Sequence, residues 1–359
     1  MLNRKIAETI VEEASLRVNR NVNIMNRNGL IIATCDESRL NQIHEGAIKV
    51  LQSNQPLYIY PKEGKEYAGV KPGVNLPIVF QEQMIGVIGI TGNPDEISEI
   101  SQLVKMMTEL MIHQNHIQSQ FEWKQRTHDM VFIQLLKKEF SSKDITRLTS
   151  GLDFEWTPEF RTLIVQLKDR STSNQTLVER LENTIGQNKG FIGFINVNRL
   201  CIILTDTART DIEKKIDAVY NVLTNLNLTF RLSYSLPFNK LEDFRASFLD
   251  CDLALSISDP QRDIISFENI EARALIYRLD QQTSERFAKR ILKNLDEVNV
   301  KTLTTFFDHN LNIQKAADHL YVHRNTLIYR LNKIAERTGL DPRKFDHALS
   351  LQLALWIDQ

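Results

Sequence analysis

The segment 312–337 constrains the fold of this chain most, because two short helical patterns flank a turn of fixed length. Its first residue is an asparagine, a favourable N-cap, and this predicts a helix from Ile313 to His319. The small alanine pair 316–317 allows a second helix to pack closely against the first. The apolar residues 320–322 form the turn, so the segment has the form of a helix-turn-helix.

The second helix of this segment is predicted to begin near Arg324. Three of its residues fall on one face at helical spacing and form a buried stripe: Leu327, Leu331 and Ile334. Guanidinium, amide and hydroxyl groups near the start of a recognition helix are the types that meet base edges and phosphates in a major groove. The residues of these types that lie largely off the stripe are the predicted DNA contacts: Arg324, Asn325, Thr326, Tyr329, Arg330 and Lys333.

An ordinary pair of amphipathic helices with a solvated basic face would give a similar pattern. The balance of charge favours nucleic acid, because the second helix carries four basic residues against the single acid Glu336. The basic residues are Arg324, Arg330, Lys333 and Arg337. A third interpretation, a scaffold that uses these helices for protein contacts, stays open from the residues alone.

Length and composition bound the remaining possibilities. A chain of 359 residues is expected to form two or three domains, and an apolar fraction of 42 % is enough for real cores. Its 44 basic and 45 acidic residues nearly cancel, which still permits DNA binding because the positive charge need only be local.

The cysteines and the apolar runs predict a cytoplasmic protein. Cys35, Cys201 and Cys251 have no CxxC spacing and no histidine partners at metal spacing, so we interpret them as reduced thiols. No apolar run approaches the roughly 20 residues of a membrane span, and the acidic amphipathic N-terminus is not a signal peptide. We predict no membrane segment, no metal and no cofactor.

The first part of the chain has the element order of a PAS- or GAF-like sensor. A helix over 1–18 precedes two strands, Val22–Asn26 and Leu30–Thr34, which turn at the strong hairpin signal Asn28-Gly29. The remaining predictions are a helix, a short strand, a Gly/Pro loop and a final hairpin, at Arg39–Ser53, Leu57–Tyr60, Gly69–Asn75, and Leu76–Gln81 with Met84–Thr91. An antiparallel sheet of this kind usually holds a small ligand against helices.

One long helical pattern follows, over 94–140, and overlaps the end of the sensor. Its apolar residues recur at steps of three and four, which favours a signalling helix or dimeric coiled coil. The alternative is two ordinary helices broken near residues 119–125.

Strands and helices then alternate from Gly151 to about Ser266. The predicted strands are Arg161–Leu167, Phe191–Asn196, Leu200–Thr205 and Phe230–Leu236, and the predicted helices are 175–187, 208–225 and 241–257. Residues 266–310 are predicted to be helical and to lead into the helix-turn-helix.

Several stretches resemble known bacterial regulators. HRNTLIYRL (323–331) and KIAERTGLDPRKFD (333–346) are similar to the C-terminal domain of the sugar diacid regulator and purine-catabolism regulator families. Those families often have Thr where this chain has Ala316. The segments 20–47, 69–78 and 86–92 resemble the sugar diacid recognition domain.

The resemblance implies an α+β multidomain protein with a ligand sensor at 1–115, a degenerate nucleotide-cyclase-like α/β domain at 150–266 and an all-α DNA-binding domain at 267–359. Active cyclases of that fold carry an acidic, glycine-rich turn on the central hairpin. The turn here, Asn196-Val197-Asn198-Arg199, has neither a glycine pair nor carboxylates for Mg²⁺. We therefore predict that the middle domain is a spacer or dimer element, and the alternative is a nucleotide-binding or nucleotide-metabolising enzyme.

The predicted effector site follows from the chemistry of a sugar diacid or hydroxy acid. Such a ligand needs cations, a planar donor fork and backbone N–H groups at close approach. Arg39 can donate two hydrogen bonds to a carboxylate, and we expect it at a helix N-terminus, which itself favours an anion. The complete set of predicted ligand residues is Arg39, His44, Glu45, Lys71, Gly73 and Asn75.

The sequence thus predicts a ligand-responsive transcription regulator, in keeping with the resemblance. The expected partners are double-stranded promoter DNA, a small carboxylic acid such as glycerate or an aldarate, and a second copy of the chain. The resemblance implies regulation, often activation, of genes for the uptake and breakdown of such acids.

Overall fold

The computed structural model describes residues 2–61, 71–152, 154–169, 171–186, 188–205 and 212–358. By its internal contacts the chain divides into two compact units, Met1–Gln125 and Arg126–Gln359. Among the described residues, no helix is both long and apolar enough to cross a lipid bilayer.

The first unit is built on a five-stranded antiparallel sheet. The order across the sheet is 2-1-5-4-3 when its strands are numbered along the chain. The hairpin between the first two strands turns at Gly29, whose φ of 73° suits glycine, as the sequence predicted. The strands are β1 (Val22–Asn26), β2 (Ile31–Thr34), β3 (Leu57–Ile59), β4 (Gly73–Phe80) and β5 (Gln83–Thr91).

Helices cover both faces of this sheet, because alternate residues of each strand point to opposite sides. On one face, α1 (Arg4–Val18) contributes Ile10 and Val11 to a core with Ile24 and Ile88. On the other face, α2 (Glu45–Ser53) contributes to a smaller apolar cluster: Ala47 and Val50 with Met25, Ile31 and Val87.

The predicted helix Arg39–Ser53 is wrong in its first part. A short 3-10 turn covers Glu37–Arg39, and α2 begins only at Glu45. The backbone between these two elements forms hydrogen bonds with the first hairpin. The N–H of Asn41 donates to the carbonyl oxygen of Ile31, and the N–H of His44 donates to that of Gly29. These tertiary hydrogen bonds use groups that a helix would need for itself.

The predicted Gly/Pro loop 69–75 is also wrong at its end. Gly73 and Asn75 belong to β4, because their backbones pair with β5 on one side and with β3 on the other. Residues 69–70, and the tract KEGKEY (62–67), lie outside the described residues.

The long helical pattern forms a single helix. α3 runs from Pro94 to Leu135 without a break, so the alternative of two helices interrupted near residues 119–125 is wrong. Its 42 residues exceed an ordinary globular helix by several turns.

A second five-stranded sheet forms the middle of the chain. Its strands are β6 (Arg161–Leu167), β7 (Gly190–Asn196), β8 (Arg199–Leu204), β9 (Phe230–Tyr234) and β10 (Ile264–Ser266), in the order β10-β9-β6-β8-β7. Its helices are α4 (Ser142–Thr149), α5 (Asn174–Ile185), α6 (Ile212–Asn225) and α7 (Phe244–Ile257). β10 was not predicted, since a strand of three residues is too short to show alternation.

Six helices complete the second unit: α8 (Glu271–Tyr277), α9 (Gln281–Leu292), α10 (Glu297–Asp308), α11 (Ile313–His319), α12 (Arg324–Thr338) and α13 (Phe345–Asp358). The predicted stripe on α12 is confirmed, because Leu327, Leu331 and Ile334 are fully buried. The α+β multidomain class is confirmed as a whole.

Candidate functional site

Two of the predicted ligand residues, Arg39 and His44, lie buried beside the start of α2. Their exposed fractions are 8 % and 5 %. Arg39 ends the 3-10 turn that precedes the helix, and His44 is the N-cap residue of α2. The predicted position of Arg39 at the helix N-terminus is wrong, because His44 is the N-cap residue of α2. The positive charge of Arg39 is close enough to act on the His44 imidazole.

The environment of His44 keeps its ring neutral. Burial, together with the positive charge of Arg39, lowers the pKa of His44 to about 4. The Nδ1 atom of His44 accepts the backbone N–H of Ala47 at 3.1 Å. A neutral imidazole with Nδ1 as acceptor carries its proton on Nε2, so this ring offers one N–H donor to a ligand.

Asn75 lies against the same helix start and is 3 % exposed. Two glycines make room for its side chain. A Cβ built on Gly46 would lie 3.3 Å from Asn75 Nδ2 and 3.1 Å from His44 Cε1, and one on Gly89 would lie 2.8 Å from Asn75 Oδ1. The amide of Asn75 and the imidazole of His44 therefore meet at Gly46.

The other predicted ligand residues lie in different surroundings. The ammonium of Lys71 is 3.3 Å from Asp36 Oδ2, and hydrogen bonding to Ser38 followed by the Lys71 charge lowers the pKa of Asp36. Glu45 is exposed in the first turn of α2. Gly73 is buried in β4, where a Cβ would lie 2.3 Å from the carbonyl oxygen of Ile90. Gly73 thus allows two backbones to approach closely.

Asn23 is a further polar residue of this unit and was not predicted from the sequence. This residue lies in the middle of β1 and is 2 % exposed, and its Oδ1 has no hydrogen-bond partner in the part of the chain that the structure describes. The available signal was a polar amide in an otherwise apolar strand, VNIMN. Native proteins seldom leave such an atom unsatisfied, so its position calls for a physical explanation.

The second candidate site is the exposed face of α12. Asn312 caps α11 by accepting the N–H of Lys315 at 3.0 Å, and the side chain of His323 caps α12 by accepting the N–H of Asn325 at 3.2 Å. The first turn of α12 then presents Arg324, Asn325 and Thr326 to solvent, as the sequence predicted for a recognition helix.

The remaining predicted contacts follow along the same helix. Tyr329 is exposed, whereas Arg330 and Lys333 are partly buried at the edge of the apolar stripe. Among the described residues, no carboxylate lies within ion-pair distance of Arg324 or Arg330. Their positive charge is therefore available to an anionic partner.

Arg337, the fourth basic residue of α12, has a structural role. Its Nη1 lies 2.9 Å from Asp296 Oδ2, and Asp296 in turn caps α10 through the N–H of Asn299. The hydrogen bond from Arg337 is the main cause that lowers the pKa of Asp296. This pair holds α12 to α10, so Arg337 should not be counted with the charges that face DNA.

The turn of the central hairpin in the middle domain is held by its own chain. The N–H of Asn198 donates to Asn196 Oδ1 at 3.0 Å, and Arg199 pairs with Asp252 at 2.7 Å. The described residues contain no group of three or more His, Cys, Asp or Glu side chains that could hold a metal ion.

Three family models match successive parts of the chain. A model described as putative sugar diacid recognition matches residues 2–135, a GGDEF-like domain matches 138–257, and the PucR C-terminal helix-turn-helix domain matches 300–357. The sequence is 26 % identical over 379 residues to the carbohydrate diacid regulator of Escherichia coli K12, with 100 % of this chain and 98 % of the relative covered.

Two further similarities are more distant. The purine catabolism regulatory protein of Bacillus subtilis 168 is 24 % identical over 311 residues, which cover 78 % of this chain and 58 % of that protein. A solved regulator of polyketide synthase expression from Bifidobacterium adolescentis is 22 % identical, with 64 % of this chain and 91 % of that chain covered and a TM-score of 0.33. The family matches and the full-length relative confirm the resemblance predicted from the sequence.

Proposed function

We propose that this chain is a transcription regulator of the carbohydrate diacid regulator family with a C-terminal helix-turn-helix, and that it senses a small hydroxy acid. The acid, such as glycerate or an aldarate, binds in the first unit and changes the affinity of the protein for promoter DNA. The regulated genes serve uptake and breakdown of the acid, and the regulator acts as an activator.

One observation supports this position of the effector site. A buried arginine, a buried neutral histidine and a buried asparagine lie together at the start of α2. A carboxylate that leaves water needs a charge-assisted partner, and the Arg39 guanidinium can supply one in a bidentate geometry. The Nε2–H of His44 and the Nδ2–H groups of Asn75 add neutral donors for carboxylate or hydroxyl oxygens. The positive end of α2 favours the same charge.

Lys71, Gly73 and Glu45 have lesser parts in this proposal. The Lys71 ammonium stands at the edge of the site, where its charge is already balanced in part by Asp36. Gly73 contributes through its backbone alone. Glu45 is exposed in the first turn of α2, at the edge of the proposed site.

The proposed DNA contacts are the six residues of α12 predicted from the sequence. Arg324, Asn325 and Thr326 reach base edges from the first turn, while Tyr329, Arg330 and Lys333 contact bases or phosphates farther along the groove. Phosphate neutralisation by these cations should make binding fall steeply with salt concentration.

We propose that two copies pair through α3. Leu103, Leu110 and Ile117 recur every seven residues, and with Met106 they are between 46 and 57 % exposed in the single chain. An apolar stripe with this period is the pattern of a coiled-coil seam. A dimer would place two helix-turn-helix units about one DNA turn, roughly 34 Å, apart on a two-fold site. Sedimentation of a monomer both free and on operator DNA would contradict the pairing.

The test of the function separates sensing from DNA binding. In gel-shift titrations of the full chain at fixed salt, the acid should change operator affinity of the parent. Arg39→Ala should abolish that change and keep the basal affinity, whereas Arg330→Ala should lower the basal affinity and keep calorimetric binding of the acid. If Arg39→Ala responds to the acid like the parent, the effector site is elsewhere.

The remaining alternative is an enzyme that uses the middle domain on a nucleotide. The composition of the turn at 196–199 supports a non-catalytic role, because it offers no carboxylate to a nucleotide-bound Mg²⁺. Turnover of a nucleoside triphosphate by the purified full chain with Mg²⁺ would overturn this part of the proposal.

A further inference from the structure

Asn23, Gly89 and Asn75 form a row across three neighbouring strands. Asn23 of β1 is paired with Gly89 of β5, and Gly89 is paired with Asn75 of β4. Residues directly opposite each other in antiparallel strands point to the same face of the sheet. The side chains of both asparagines therefore stand on one face, with only the backbone of Gly89 between them.

That face is the one covered by α2. Met25 and Val87 lie two residues along the same strands, on the same side, and both pack in the apolar cluster with Ala47. Asn75 at the end of the row approaches Gly46 at the start of α2. The row thus begins beside the buried start of α2, near His44, and runs across β4, β5 and β1 on the sheet face that α2 covers.

Only glycine fits at position 89 without a shift of the neighbouring side chains. A Cβ on Gly89 would lie 2.8 Å from Asn75 Oδ1 and 3.4 Å from Met25 Cε. The position that a side chain at residue 89 would take is therefore filled by the Asn75 amide and the Met25 methyl group. Asn23 lies next to them on β1, across the Gly89 backbone.

Two amide oxygens along β1 have no donor among the described residues. Besides Asn23 Oδ1, the Oδ1 atom of Asn21 is buried without a hydrogen-bond partner. Asn21 precedes Asn23 by two residues, and its carbonyl oxygen accepts the N–H of Thr91, which continues the pairing of β1 with β5. Alternation along the strand puts both amides on the same face.

Unpaired acceptors select a particular chemistry. A carboxylate has no hydrogen to donate, so the guanidinium and the N–H groups at the helix start suit the acid group but Asn21 and Asn23 do not. A hydroxyl can donate to an amide oxygen. A buried acceptor left unsatisfied is costly, and such costs are tolerated where a ligand completes the hydrogen bond.

We propose that Asn23, assisted by Asn21, recognises the hydroxyl groups of the effector and thereby selects hydroxy acids over the corresponding unsubstituted acids. This inference rests on the proposed function and adds to it the residues that set specificity. The acid group binds at Arg39 and His44, and the hydroxyl groups extend towards β1, where Asn23 Oδ1 accepts their hydrogens.

The test uses the full chain and two matched pairs of acids in calorimetric titrations: D-glycerate with propanoate, and D-glucarate with adipate. The parent should bind the hydroxylated member of at least one pair more tightly than its partner. Asn23→Leu keeps the size and branching of the side chain and removes the acceptor. It should weaken binding of the hydroxylated acid at least about tenfold and leave the unsubstituted acid unchanged or slightly tighter.

A second measurement excludes a folding defect. Without ligand, the melting temperature of Asn23→Leu should equal or exceed that of the parent, because the change removes an unsatisfied buried oxygen. If Asn23→Leu does not fold, Asn21→Leu repeats the test at a less buried position and should show the same selective loss.

The outcomes separate the two proposals. If the parent binds none of the four acids, the proposed function fails and the present inference falls with it. If Arg39→Ala loses the acid while both Asn23→Leu and Asn21→Leu keep the parent's preference for the hydroxylated member, the function stands and the inference is overturned. Equal weakening of both members of a pair would assign Asn23 a purely structural role and would also overturn it.

Discussion

The two proposed binding regions are built in opposite ways. At the start of α2 the predicted residues Arg39, His44 and Asn75 are almost fully buried, and one is a neutral histidine beside a cation. On α12 the predicted residues Arg324 and Asn325 stand in solvent above a complete apolar stripe. The first region puts polar groups inside the fold, and the second adds them to its surface.

This difference has a physical consequence for stability. Burial of the unpaired amide oxygens of Asn21 and Asn23 lowers the stability of the ligand-free sensor, since these acceptors lose water without a replacement hydrogen bond. The exposed side chains Arg324, Asn325 and Thr326 of α12 stay in contact with water on folding, so their substitution should change stability little. Substitutions should therefore couple stability to binding in the sensor and separate them in the helix-turn-helix.

The largest effect should come from the stripe beneath the α12 surface. Leu327 is fully buried against Phe306, Ala316 and Ala317, so Leu327→Asp places a charge in an apolar core. We expect a loss of about 4 kcal/mol or more in the free energy of unfolding of the C-terminal helices. Limited proteolysis should cut those helices. Parent-like resistance would contradict the assigned facing of α12.

The next effect concerns pH and the sensor. With its pKa lowered from 6.5 to about 4, His44 takes up a proton more readily in the unfolded chain. The unfolded state therefore binds more protons in this window, so stability is full above pH 6.5 and is lost as the pH falls towards 4. The loss should be on the order of 3 kcal/mol from this group.

The matched control for this pH effect is His44→Asn. Asparagine is also a favourable N-cap and can accept the N–H of Ala47, but it does not titrate. Denaturant unfolding of parent and variant at several pH values gives the contribution of His44 as the difference between their curves. A difference that does not change between pH 4 and 6.5 would show that His44 titrates normally.

Arg330→Ala should affect binding without affecting stability. The loss of a base or phosphate contact costs about 1–3 kcal/mol in operator affinity. The free energy of unfolding should stay within about 0.5 kcal/mol of the parent, because Arg330 has no ion pair among the described residues. A melting temperature of Arg330→Ala well below that of the parent would contradict the separation of stability from DNA binding in the helix-turn-helix.

The smallest effect is expected for Lys71→Ala. The Lys71–Asp36 pair has side chains 54 % and 32 % exposed, so the pair should contribute less than about 1 kcal/mol to stability. Acid binding should weaken only modestly, since Asp36 already balances part of the charge. If Lys71→Ala loses as much acid affinity as Arg39→Ala, the carboxylate of the acid binds at the edge of the sheet and not at the helix start.

Several parts of the fold were predictable because their signals are local. The Asn28-Gly29 turn, the Asn312 cap and the spacing of Leu327, Leu331 and Ile334 each lie within a few residues of the structure they specify. The sequence favoured a single helix α3, because the run lacks strong breakers, but the alternative of a break near residues 119–125 was decided only by the structure. The identities of Arg39, His44 and Asn75 as notable polar residues were also visible in the sequence.

Other features depend on residues far apart in the chain. The start of α2 at Glu45 is set by backbone bonds from Asn41 and His44 to the first hairpin, and the pairing of Arg337 with Asp296 joins two helices. A pattern of neighbouring residues cannot indicate contacts between residues so far apart in the chain. Propensity favoured a longer helix, and tertiary hydrogen bonds prevailed over it.

By itself, the sequence determined the helix-turn-helix, most of the order of helices and strands, and the types of groups that an acid and DNA require. Only the tertiary structure decided that Asn23, Gly89 and Asn75 share one row beneath α2. The physical reason is range: caps, turns and helical periods act between neighbours in the chain. Strand register, burial and the pKa of His44 arise from contacts between residues that only the folded chain brings together.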